Sequence, residues 1–600
     1  MATFFVAGPA FAQCAPDPTV TNGTTTCTGT DADGLSVATG NSRIVIASGA
    51  TVRPGSGAAA IISRASNASF DVNGLVDGGA GKAGLFVTTG TPFTTICTDP
   101  YAGASVNYCV IGSTLTNYPS ASAMVTVAAG GTVTGAQGIL FQRDASNTNG
   151  YISASIDNAG TISGTAGPAL VANQTGFGSL SITNRATGTI GGIAGTVSYV
   201  TNAGTIDGGG NAALASTVSG MNVVNTGRIV SSGSAATLSD TGSYLYVSNA
   251  TGAVIGGSTT AIRTSGALSL TNAGTINGSV VSTAGSGTSS TIDTRQGVIN
   301  GDLVLGAGND TLRARYDAAT GRIASITGTV DGGAGSDTLA FGVDADAVFT
   351  RAVLPTNFEL FGFDLSNNAV ATLAAGFTSG TGISVSGTGA LVNQAALVTS
   401  GQAVIAAFSS YGLDFTNQGS ITASLSGTGL FAVGTPATVT NSGTITANGG
   451  SGVQAYTTLT NSGVITATGT GAAVVYGTLA NSGTISFDRG HRRDDFRRGF
   501  QRIDQRRDDH RRDHRRVAVE RTNGQHGHDN RRHHGRFAGI WHDADQRRVR
   551  HDHGRDRGGE RHRIVRRNRQ RRPDRRYGEP RFALQLRSRA TMCSSMRAAP

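Results

Sequence analysis

Apolar and polar positions alternate in short runs along most of the chain. Leu180-Ser-Ile-Thr-Asn184 and Ala437-Thr-Val-Thr-Asn441 are typical. Alternation with β-branched residues predicts half-buried strands. The density of Gly, Thr and Ser disfavours helix. A phrase of the form Asn-small-Gly-x-Ile/Val follows these runs. It begins at Asn158, Asn202, Asn225, Asn272, Asn417, Asn441, Asn461 and Asn481, with looser copies at Asn184 and Asn249. Steps between neighbouring copies are 26, 18, 23, 24 and 23 residues in the first block and 24, 20 and 20 in the second. A period this short cannot hold two packed helices but suits three short strands and three turns. The phrase itself reads as a turn in which Asn and Gly tolerate positive φ.

Stacking such units gives an all-β fold, a right-handed parallel β-helix. Each coil hydrogen-bonds to the next about 4.8 Å away. Ile and Val stack inside a narrow core, and the repeated Asn amides are expected to ladder from coil to coil. At roughly 23 residues per coil, on the order of 20 coils and a stalk on the order of 90–100 Å follow. A flat β-sandwich array is the competing architecture.

Composition divides the 600 residues near Phe487. Residues 1–486 carry 13 Lys+Arg and 21 Asp+Glu, whereas 487–600 carry 34 and 16. The only Lys is Lys82, and all 11 His and the single Trp, Trp541, lie in the last segment. The mildly acidic body therefore gives no electrostatic case for nucleic acid. The segments read as 1–12, a partial signal peptide; 13–110, an N-terminal β-helix cap region with two Cys pairs; 111–486, parallel β-helix repeats; and 487–600, a disordered Arg/His-rich tail.

Ala10 and Ala12 bracket Phe11 in the A-x-A pattern of a signal-peptidase site, after a short apolar stretch. With export, Cys14 and Cys27, then Cys97 and Cys109, read as two disulfide-closed loops, the local choice among three connectivities. Cys593 is the fifth cysteine. No C-x-x-C spacing or nearby His supports zinc.

Gln13-Cys-Ala-Pro, Thr26-Cys-Thr-Gly-Thr-Asp-Ala-Asp-Gly34 and the Asn-Ala-Gly-Thr-Ile coils together resemble an autotransporter passenger, a type V secreted surface protein of Gram-negative bacteria. The likeness covers about residues 13–486. It implies export through an outer-membrane β-barrel of the same chain and display at the cell surface. The expected partners are cell-surface or extracellular matrix ligands, or further copies of the protein. Many members of the family are adhesins or self-associating proteins, and a minority carry protease or esterase domains. The chain then reads as one truncated or frameshifted before its barrel, periplasmic if that barrel is truly absent.

Candidate chemistry changes this picture little. Leu303-Val-Leu-Gly-Ala-Gly-Asn-Asp-Thr-Leu312 and Asp331-Gly-Gly-Ala-Gly-Ser-Asp-Thr-Leu339 resemble the calcium-binding nonapeptide, but Asp310 and Asp337 are 27 residues apart, one whole coil. A structural coil turn is the preferred reading, and no metal ligand is assigned. Gly79-Ala-Gly-Lys-Ala-Gly84 fits G-x-G-x-x-G, yet a strand rather than a helix is expected after it. Residues 1–486 contain no His, which excludes a Ser-His-Asp or Cys-His apparatus there. Asp344 with Asp346, or Asp310 with Asp337, would be the carboxylate pairs of a carbohydrate-active β-helix enzyme, the alternative function. Exposed turn aspartates are the plainer reading, so no catalytic residue and no cofactor is assigned.

In the tail, His510 and His514, His526 and His528, His533 and His534, and His551 and His553 keep no finger spacing, and no aromatics interleave with the Arg. An Arg-rich nucleic-acid-binding tail is the second alternative. The repeat runs at full strength to Ser486, and only five Ser and Thr follow in 487–600. Arg, His, Asp and Gly in this proportion are what a GC-rich coding sequence yields in the wrong frame, so the tail reads as a frameshift product.

Overall fold

A computed structural model describes residues 14–487, except 97–113, 174–178, 218–219, 318, 379–380, 400–402, 409–411, 425–426, 434–437 and 470. The expectations for the signal peptide, for Cys97 and Cys109 and for the Arg/His-rich tail lie outside the described residues. The described chain is a parallel β-solenoid of about 17 turns with no helix. Each regular coil contributes three strands. In one coil these are Ile152–Asn158, Thr161–Gly164 and Leu170–Asn173; in the next, Ser179–Asn184, Thr189–Ile190 and Ile193–Gly195. The same three-strand coil recurs near the end as Thr438–Asn441, Thr444–Ala447 and Ser451–Ala455.

The period-2 pattern puts alternate residues inside, as in Tyr244–Asn249, whose Leu245, Val247 and Asn249 are buried. Register then stacks like on like. On the second wall Ile162, Ile190, Ile206, Ile229, Ile255, Ile276 and Ile299 face one another coil by coil. On the third, Leu170, Ile193, Leu214, Leu238 and Ile262 do the same. Ile421, Ile445, Ile465 and Ile485 rebuild the second wall in the C-terminal block.

The Asn of the phrase ends the first strand and points inward, except at the exposed last copy, Asn481. Asn158 Nδ2 donates to Asn184 Oδ1 at 2.8 Å, and the chain of amides continues through Asn202, Asn225, Asn249 and Asn272 at 2.8–2.9 Å. It then passes to Thr294 Oγ1. A second ladder runs from Asn393 through Asn417, Asn441 and Asn461 to Asn481 at 2.7–2.8 Å. The looser copies at Asn184 and Asn249 are full members. Asn393 is a member that the phrase conceals, because Asn393-Gln-Ala-Ala-Leu397 lacks both Gly and Ile.

The glycine of the phrase serves a different purpose from the one expected. Neither the eight phrase glycines nor the asparagines before them have a positive φ. The reason for glycine is proximity. A Cβ on Gly204 would lie 2.2 Å from the Gly188 carbonyl oxygen, and one on Gly443 would lie 2.0 Å from that of Gly419. The coils approach so closely at this corner that a side chain has no room.

Two regions depart from the plain repeat. The antiparallel pair Phe93–Ile96 and Thr114–Asn117 forms an exposed excursion between coils. Between the two amide ladders the core becomes aromatic. Phe341, Phe349, Phe361, Phe363 and Phe377 are buried, with edge-to-face contacts such as Phe349–Phe363 at 4.6 Å between ring centres. The aromatic residues that are scarce overall are concentrated here, where the asparagine phrase is missing.

Stability should follow the inward column and ignore the outward one. Ile229→Ala is expected to cost about 2–5 kcal/mol. Thr201→Ala, at an exposed position, should fall within about 0.5 kcal/mol of the parent. Native-state hydrogen exchange across the flanking coils measures both.

Candidate binding surface

The outward positions of the first wall are set by the same register as the ladder. The residue three before each ladder Asn faces solvent in one column. That column reads Ser155, Ser181, Tyr199, Asn222, Tyr246 and Ser269. Tyr199 and Tyr246 are thus two coils apart, about 9.6 Å at about 4.8 Å per coil. Tyr244, two residues before Tyr246, adds a third ring, with centres 6.3 Å apart and planes inclined by 19°. The three tyrosines are 58%, 51% and 47% exposed, and Val224 beside them is exposed too.

From Ser179–Asn184 to Ala267–Asn272, the outward residues of this wall are Ser, Thr, Tyr, Asn, Val, Gly and Ala. No charged side chain interrupts them. On one side the surface continues into a shallow trough of about 460 Å³ lined by Ser69, Ser122, Ser153, Ser155, Ser179 and Ser181, with exposed Met124. Charges mark both margins. Arg185 makes a two-pronged ion pair with Asp157 at 2.5 Å. At the far side Arg295 bridges Asp293 at 2.6 Å and Asp364 at 2.5 Å. The surface can offer hydroxyl hydrogen bonds and flat aromatic faces to a partner.

The other sequence candidates are dispersed. Cys14 and Cys27 are joined by a disulfide that ties the antiparallel strand Cys14–Ala15 to the first solenoid strand, Thr24–Cys27. Asp31 lies beside them, but both sulfurs are used by the disulfide. Gly79-Ala-Gly-Lys-Ala-Gly84 follows the strand Leu75–Asp77 and enters the strand Ala83–Val87, with no helix to receive a phosphate. Asp344 and Asp346 are both exposed, and Asp346 Oδ1 accepts the Val370 N–H at 2.8 Å. Asp310 and Asp337 are buried in adjacent coils. The tyrosine column was not anticipated. Its signal is the coil-spaced recurrence of tyrosine at a fixed offset from the ladder Asn, visible only once the chain is aligned on those residues.

The charged margin yields a pH dependence. Burial pushes the Asp293 carboxyl up, but the hydrogen bonds and charge of Arg295, helped by Arg313, outweigh it and hold the group below its ordinary 3.8. A lowered carboxyl contributes stability in full above that value and loses it as pH falls through the folded-state value. Arg295→Gln should cost about 0.5–1 kcal/mol at neutral pH, since the pair is partly exposed. It should also move the acid-unfolding midpoint to higher pH, read by circular dichroism. No family model, curated protein or solved structure matches this chain.

Proposed function

We propose that the solenoid is the passenger of an exported, autotransporter-like surface protein, non-catalytic, which acts by adhesion or self-association. The observation that carries this reading is the uncharged outward wall between Ser179 and Asn272, with its three exposed tyrosines. Exposed aromatics on a rigid support are low-entropy anchors, and repetition along a stalk multiplies weak contacts. The Cys14–Cys27 disulfide supports an oxidising destination. The phrase-built coils, the disulfide and the motifs quoted above support the likeness to autotransporter passengers. In this reading the protein reaches the cell surface through the outer membrane and meets surface or matrix ligands, or its own copies.

The test is a triple substitution, Tyr199→Ser, Tyr244→Ser and Tyr246→Ser, in the full chain. All three side chains are solvent-facing, so the thermal midpoint should move little. Adhesion to immobilised host-cell surface and matrix glycoproteins, and sedimentation as a function of concentration, are compared with the parent. At least one should weaken by tenfold or more, equivalent to about 1.4 kcal/mol. Unchanged adhesion together with unchanged sedimentation would refute the assignment of this wall.

A further inference from the structure

Two aspartates in the core of the solenoid have no evident means of staying charged. Asp310 and Asp337 each end a glycine-rich turn, Gly306–Asp310 and Gly332–Asp337. Their separation of 27 residues equals the local coil, since Thr311 pairs with Thr338 and Leu312 with Leu339. The two carboxyl groups are therefore neighbours in adjacent coils, 1% and 0% exposed.

Each carboxyl uses one oxygen to accept a backbone N–H from the preceding coil. Ser290 N–H donates to Asp310 Oδ1 at 2.5 Å, and Asp310 N–H donates to Asp337 Oδ1 at 2.7 Å. One coil further, Asp337 N–H donates to Glu359 Oε2 at 2.8 Å. The second oxygens, Asp310 Oδ2 and Asp337 Oδ2, are buried and make no hydrogen bond. Neither residue takes part in any ion pair among the described residues.

Burial pushes both carboxyls up, and Asp337 is raised further by the charges of Asp310, Glu359 and Asp331. The Ser290 N–H, with the Gly306 N–H and the Ser290 hydroxyl nearby but not hydrogen-bonded to the carboxyl, offsets only part of this at Asp310. Two adjacent buried carboxyl groups without a cationic partner must be neutralised, by protons or by a bound cation. The surroundings of the free oxygens favour the cation. A Cβ on Gly332 would come within 2.8 Å of Asp337 Oδ2 and 2.0 Å of the Asn357 carbonyl oxygen. Glycine at this position thus lets a carboxylate oxygen and a backbone carbonyl oxygen of the next coil come close to each other. The donors are all oxygens, with no His in residues 1–486 and no Cys near in sequence. That set suits a hard cation with a tolerant coordination sphere.

We propose that Asp310 and Asp337 hold one calcium ion between adjacent coils through Oδ2 of each, with the Asn357 carbonyl beside it. The ion joins the two coils just where the asparagine ladder is absent, and it replaces the amide bridge by a charged one. Magnesium is the poorer fit, because it demands near-octahedral geometry and keeps its waters. The site stands independently of the proposed function, since it concerns the interior and not the tyrosine wall.

The experiment uses the full chain, freed of metal with a chelator and dialysed. Calcium binding is measured by equilibrium dialysis with radioactive calcium, and thermal unfolding is followed at pH 7 with calcium, magnesium or neither. The wild-type protein should bind calcium and gain several degrees in its midpoint with calcium but not with magnesium. Asp310→Asn with Asp337→Asn should bind one calcium fewer per chain and lose the thermal response. Its asparagine oxygens still accept the same N–H groups, so without calcium it should unfold no earlier than the metal-free parent. Should the double variant fail to accumulate, Asp310→Asn alone gives the same reading, with weakened binding. A wild-type protein that binds no calcium, and whose midpoint rises as pH falls from 7 to 5, would overturn the proposal in favour of a shared proton. Calcium binding that is undiminished in the variants would overturn it as well.

Discussion

The buried asparagine amide is the constraint from which the solenoid's order follows. An Asn side chain has one acceptor oxygen and two N–H donors, and in the middle of each ladder it is fully enclosed. It avoids the cost of burying an unpaired polar group when another Asn stands directly above and another below. The structure meets that condition by donating each Nδ2 to the next Oδ1, and further to backbone carbonyls, as Asn158 does to Gly160 and Thr189. Slipping a coil by one residue would turn every inward side chain outward and strand the amides. With the amides in line, isoleucine meets isoleucine on the second wall and the glycine corner closes.

The ends of the ladders show the same rule from its exceptions. Asn158 is first in its ladder, and the residue paired with it one coil earlier is Val127. No amide donates to Asn158 Oδ1, which is accordingly buried without a partner. At the other end Asn272 finds Thr294 Oγ1 in place of an amide. From there to Asn393 the coils are held differently, by interlocked phenylalanines and by the aspartate pair at Asp310 and Asp337. A single chain therefore uses three ways of tying neighbouring coils together: amide, aromatic and carboxylate.

Much of this was legible because the repeat is written in residues with narrow roles. Asn158, Asn202, Asn225 and Asn272 announced the ladder, and the Ile four residues after each announced the second wall. Residues whose role depends on neighbours in the adjacent coil were less legible. Gly204 and Gly443 read as turn formers, yet their φ is ordinary and the constraint is a carbonyl from the preceding coil. Asn393 was hidden because Ala395 stands where the phrase has glycine. Tyr199, Tyr244 and Tyr246 carry no motif of their own. They become a surface only when coil pitch places them on one wall, a distance relation that linear spacing does not express until the ladder sets the zero. The aspartate pair was visible as a motif, but its burial and its free oxygens are properties of the stacked coils alone.

A buried, donating amide at each rung of a ladder fixes the register there. Asn225→Asp tests it most directly, because the substitution preserves shape and the oxygen that accepts from Asn202, and removes the donor to Asn249. An ionised carboxyl there would be buried against the Asn249 oxygen, so its folded-state pKa must be raised. Its destabilising effect should then be largest at neutral pH and shrink as pH falls through that value, where the protonated acid can again donate. Asn225→Asp should lose about 2–4 kcal/mol at pH 7, with partial recovery on mild acidification relative to the wild-type curve. A variant as stable as the parent at every pH would contradict it.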